Sequence, residues 1–68
     1  MNVIIYWKSG DYADAYNVDE VRKPTKNDPD LRLFKKFKGE DVEIARFHGN
    51  EFRGWQVFLT ADDVKTDR

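Results

Sequence analysis

Residues 33–59 read LFKKFKGEDVEIARFHGNEFRGWQVFL. Two glycine-containing turns, Lys38-Gly39-Glu40 and His48-Gly49-Asn50, divide this stretch into three short runs. Each run is rich in aromatic and large aliphatic residues and is too short for a stable helix, which marks it as a strand. The alternation assigns faces. Leu31, Leu33 and Phe37 share one face of the first run, and Arg32, Phe34 and Lys36 the other. Val42 and Ile44 oppose Ala45 and Phe47 in the second run. Phe52, Gly54, Gln56 and Phe58 oppose Arg53, Trp55, Val57 and Leu59 in the third. The expected core is Leu33, Val42, Ile44, Phe37 and either Trp55 or Phe58. A one-residue slip of register exchanges the two faces.

Further toward the N-terminus, residues 3–8 (VIIYWK) are apolar on both faces, as in a central strand. The turn Ser9-Gly10-Asp11 and the alternating residues 12–18 complete a hairpin. Val18 and Val21 stand three apart, which suits either a helical turn or a bulge that brings both valines inward. The bulged strand is preferred. Residues 23–30 (KPTKNDPD) contain two prolines and no apolar side chain, so they form a loop. Gly54 in mid-strand suggests a bend or a close backbone approach.

Turn signals at intervals of about ten residues predict an all-β fold. The expected architecture is a five-stranded antiparallel meander curled into a small barrel, SH3-like or partly open. A short helical turn is expected near residues 18–22 or at the C-terminus. Residues 1–60 form one domain, and residues 61–68 (ADDVKTDR) are expected to fray.

The chain has 68 residues, no cysteine and one histidine, His48. A domain of this size buries only about 60% of its unfolded surface and commonly needs a disulfide, a metal or a partner. Disulfides and thiolate metal sites are excluded, and neither a metal nor a cofactor is expected. Two Trp, three Tyr and five Phe supply the burial instead, at roughly 150–250 Å² for each ring. The absence of cysteine fits a cytoplasmic protein. No run reaches the ~18 apolar residues of a membrane span. The opening residues, MNVIIYWK, lack the basic and small-residue features of a signal peptide.

Catalytic signatures are missing: there is no nucleophile elbow, phosphate loop, HExxH or CxxC. Ser9 is the sole serine and lies in a turn, which leaves no convincing Ser-His-Asp set. Asp14 and Glu43 read as solvated strand residues rather than a carboxylate pair. His48 reads as a polar turn residue, with Glu51 or Asp41 as its nearest potential co-ligands. No catalytic residue is assigned.

Net charge is −1 but unevenly distributed. Residues 22–38 carry seven basic groups against Asp28 and Asp30, a net +5, and the flanking segments are each −3. Pairing of opposite charges across strands accounts for such a pattern. The expected function is that of a non-enzymatic binding module using an aromatic sheet surface to contact another protein or its own copy. Candidate interface residues are Phe34, Phe47, Trp55, Tyr12, Tyr16 and Arg53, types enriched at interface cores apart from their number here. The general type suits a phage or mobile-element accessory protein. The alternative is a nucleic-acid-binding small barrel using segment 31–38. There Arg32, Phe34, Lys35, Lys36 and Lys38, extended by Arg46, would combine a stacking ring with phosphate-binding cations.

Overall fold

The computed structural model describes residues 1–61. It contains β1 (Asn2–Trp7), β2 (Ala13–Asn17), β3 (Glu20–Arg22), β4 (Leu31–Phe37), β5 (Glu40–Phe47) and β6 (Phe52–Phe58). Two three-stranded antiparallel sheets, ordered β2-β1-β6 and β3-β4-β5, share one core. The all-β class is as expected, and the five-stranded meander barrel is not observed. β6 returns to the free edge of β1 instead of pairing with β5, so the strip of strands does not close.

β1 occupies the centre of its sheet, where its two-faced apolar run fits. Val3 and Ile5 are fully buried. The turn into β2 uses Gly10 at φ 89°. The sixth strand arises because the second hairpin arm changes sheets. Val18 is buried at the corner, where its N–H donates to the Met1 carbonyl at 2.8 Å. The Asp19 N–H donates to the Phe34 carbonyl at 2.9 Å, and the Asp19 carboxylate accepts from the Lys36 N–H at 2.7 Å. These bonds turn the chain onto β4. Residues 20–22 are therefore a strand, not the helical turn that the Val18–Val21 spacing allowed. Val21 still points inward, because it lies opposite Leu33.

The β4–β5 link is a two-residue turn with both residues at positive φ, Lys38 at 52° and Gly39 at 83°. That geometry matches the right-handed twist of a hairpin. The loop at residues 23–30 is braced internally. The Thr25 N–H donates to the Asp28 carbonyl at 2.7 Å, and the Asp28 N–H donates to the Thr25 hydroxyl at 3.0 Å. The expectation of a frayed tail falls chiefly on residues 62–68, outside the described residues.

Two bulges decide which side chains reach the core. Leu33 pairs with Ala45 and Phe34 with Glu43, so Ile44 is an extra residue in β5. Tyr6 pairs with Gly54 and Trp7 with Phe52, so Arg53 is an extra residue in β6. The first bulge places Ala45 and Phe47 against the core at one end of β5. Val42 and Ile44 are each 41% exposed and Phe37 is 54% exposed, contrary to their expected core positions. The second bulge puts Phe52 in the core, with Trp55 packed on it, although strict alternation set these two rings on opposite faces. Phe58 is left exposed. The buried set is Val3, Ile5, Val18, Leu31, Leu33 and Phe52. Each of the large members contributes on the order of 1.5–3 kcal/mol by its removal from water.

Candidate binding surfaces

The outer face of β3-β4-β5 carries Arg32, Phe34 and Lys36, as the alternation predicted. Its central ring is not available for contact. Phe34 is only 5% exposed, because two guanidinium groups lie over it: Arg22 at 4.1 Å from the ring centroid and Arg32 at 5.1 Å. Long arginine side chains cover apolar surface with their stems while the charged head stays wet. The attraction of a cation to the ring face adds about 0.5–1 kcal/mol per exposed pair. Phe34 is thus a structural ring of the outer face, a correction to its assignment as a contact residue.

The cations around it are paired. The Arg32 Nε donates to Glu43 at 2.6 Å, and Arg32 also lies 3.9 Å from Asp28. Arg46 reaches Glu43 and Asp30, each at 3.4 Å. Lys36 pairs with Asp41 at 3.4 Å, and Arg22 with Glu20 at 2.8 Å. Glu43 stands between Arg32 and Arg46, where the two arginines meet across the hairpin. The hydrogen bond from Arg32, seconded by Arg46, holds its carboxyl below the usual range. Lys35 points to the other face and donates to the Asn17 side chain at 3.3 Å. Lys38 sits in the hairpin turn. A phosphate backbone would have to displace these carboxylates, and Phe34, the ring between Arg32 and Lys36, is covered.

The other interface candidates are distributed differently. Phe47 is half-buried between the sheets, 5.2 Å from Trp7 edge-on and 5.6 Å from Tyr16. Trp55 is half-buried, edge-on to Phe52 at 5.8 Å. These three rings, Phe47, Trp55 and Tyr16, close the margin of the core. Tyr12 is exposed, and so is Arg53, the extra residue of the β6 bulge. The large apolar side chains that face water, besides Tyr12, are Phe37, Val42 and Ile44 on the β4–β5 hairpin and Val57, Phe58 and Leu59 at the end of β6. β5 and β6 each have a second edge without a partner strand among the described residues. Sequence reasoning missed this set because alternation assigns a face but not how far the opposing sheet covers it.

A third cluster was also missed. Asp30 is 8% exposed, and its carboxylate lies 2.9 Å from the His48 Nδ1 and 3.4 Å from Arg46. Leu31 pairs with Phe47, so Asp30 and His48 stand opposite one step further along the ladder. Once the hairpin register is known, the sequence yields this pair. With Lys8, Pro29, Gly49 and Asn50 the two residues line an open depression. No group of three or more metal-ligating side chains occurs among the described residues. Nor is any helix there long and apolar enough to cross a membrane.

No protein-family model, curated protein or solved structure matches this chain. Its functional reading therefore rests on its own residues.

Proposed function

We propose that this protein is a non-enzymatic binding module that docks another polypeptide, a protein partner or its own copy, on the apolar side chains of the β4–β5 hairpin and the end of β6. One observation carries the reading. Phe37, Val42 and Ile44 stand in water on a hairpin whose outer strand has an open edge. Exposed apolar residues in a group, beside an unpaired strand edge, mark surfaces that bind protein. An added strand would gain main-chain hydrogen bonds from the edge and side-chain contacts from the residues flanking it.

The docking surface is not the one expected from the sequence. It uses Phe37 and Val42 in place of Phe34, and Phe58 in place of Trp55. The test is site-specific photo-crosslinking from position 42 and from a control position, Lys26, in the loop at residues 23–30. Crosslinks to a discrete species from position 42 alone are expected. A crosslinked dimer identifies the copy as partner, and a heterologous adduct identifies a different protein. Equal labelling from both positions, or none from either, overturns the reading.

A further inference from the structure

We propose that Asp30 and His48 form a pH-sensitive fastener that holds the β5–β6 turn against the loop at residues 23–30, tight in mild acid and looser above neutrality. The contact extends the β4–β5 pairing one step beyond its last pair, Leu31–Phe47, and it does so through a buried carboxylate. Asp30 is anchored from both directions, by its own N–H donating to the Asp28 side chain at 3.2 Å and by Arg46 on β5. The approach is close. A methyl group added at Gly49 would stand 3.3 Å from the Pro29 carbonyl oxygen. The turn itself is closed by the Glu51 N–H donating to the His48 carbonyl at 2.9 Å, and by the His48 N–H donating to the Glu51 carboxylate at 3.2 Å.

Charges from every neighbouring segment bear on the imidazole. Asp30 contributes from the loop, with Asp28 behind it, and Glu51 from the turn. Arg46 opposes them from β5, and Lys8 lines the same depression after β1. The carboxylates prevail. The hydrogen bond to Asp30, then the charges of Asp30 and Glu51, raise the His48 pKa above its ordinary value of 6.5, against Arg46 and partial burial. A raised folded-state pKa means that the fastener contributes its full stability below the unfolded value. It loses that contribution as pH rises through the folded value. Neutral imidazole still donates from Nδ1 in one tautomer, so the bond loses its charge rather than its geometry. His48 has a side chain 66% exposed, so the effect is local: the turn loosens while the core stays intact.

His48 is the sole histidine, so its ring protons report on this site alone. Proton NMR titration of the wild-type chain should give a midpoint above 6.5, and Asp30→Asn should lower it. Hydrogen exchange at the Glu51 amide, corrected for intrinsic pH dependence, should show protection falling several-fold between about pH 5 and about pH 8. That fall should vanish in His48→Gln, which leaves Asp30 and Arg46 in place and serves where Asp30→Asn fails to fold. A wild-type midpoint at or below 6.5 overturns the proposal. So does a pH dependence of Glu51 protection that persists unchanged in His48→Gln.

Discussion

The two ends of the β4–β5 hairpin have similar compositions and opposite fates. At one end Leu31, Leu33, Ala45 and Phe47 meet β1 and β2 across the core. At the other Phe37 and Val42 occupy the same face of the same hairpin and stand in water. The difference lies in what is opposite. The sheet β2-β1-β6 covers the first end, where Trp7 and Tyr16 seat Phe47, and it leaves the second uncovered. Apolar character in the sequence therefore specifies a core only where the partner sheet reaches. Beyond that limit residues of the same type stand in water, and on them the proposed docking surface rests.

The strongest way to break this contrast is to truncate matched residues at the two ends. Leu33→Ala should cost about 2–5 kcal/mol. Set against the small stability of a short domain, that is enough to unfold most molecules at room temperature. Val42→Ala should change stability by less than about 1 kcal/mol, because its side chain is already partly hydrated. Denaturant melts followed by circular dichroism measure both. Equal losses would erase the distinction between the two ends.

Phe34 and Phe37 sharpen it further, since they stand three residues apart on opposite faces of β4. Phe34→Ser removes a ring buried beneath two arginines and should cost about 3 kcal/mol or more. Phe37→Ser should leave the melting midpoint nearly unchanged while abolishing the docking proposed for the hairpin. Light scattering and crosslinking read the second effect and thermal melts the first. A stable Phe34→Ser protein that has lost its partner would instead restore Phe34 as the contact ring.

How much of this was legible beforehand follows from the same residues. The Val3–Trp7 run placed β1 at the centre, and the glycine turns at Gly10 and Gly39 set both hairpins, because positive φ and two-faced apolar strands are local properties. The outer face Arg32-Phe34-Lys36 also follows from alternation, because β4 itself is regular. What alternation could not reveal is the extra residue on each neighbouring strand. Ile44 and Arg53 are inserted where the sheets coil, and that need comes from the tertiary twist rather than from either residue's own preference. Phe52 consequently entered the core and Phe47 its margin, while Val42 and Phe37 stayed out because the opposing sheet does not reach them. Phe34 was misread for a different reason: its cover comes from Arg22, a residue of another strand twelve positions earlier. The Asp30–His48 pair required the same bulged register before its two members came opposite.

The glycines test the backbone side of the contrast between local and tertiary requirements. Gly10→Ala forces a side chain into positive φ and sets its Cβ 2.7 Å from the Tyr12 ring, so a loss exceeding about 1 kcal/mol is expected. Gly54 was read as a bend or close approach, yet a Cβ there meets nothing within 4 Å. Gly54→Ala should be neutral or slightly stabilising through the reduced freedom of the unfolded chain. Urea titration of the two variants separates a turn that demands glycine from a strand that tolerates it.

The smallest effect concerns the ionic lattice on the outer face, and its sign can be fixed in advance. Arg32 and Arg46 hold the Glu43 carboxyl below its ordinary value of 4.5, so protonation opposes the folded state. The contribution of Glu43 is present above the unfolded pKa and is lost as pH falls through the lowered, folded one. Glu43→Gln should therefore flatten the acid limb of the stability profile and leave the neutral plateau almost unmoved, since exposed ion pairs are worth little. The variant should also free Arg32 and Arg46 from their shared carboxylate. If segment 31–38 has a latent affinity for polyanions, Glu43→Gln should bring it out as salt-sensitive retention on heparin that the wild-type protein lacks. Strong retention of the wild type itself would mean that the carboxylates do not neutralise this face, and the hairpin tip would lose its standing as the better binding surface.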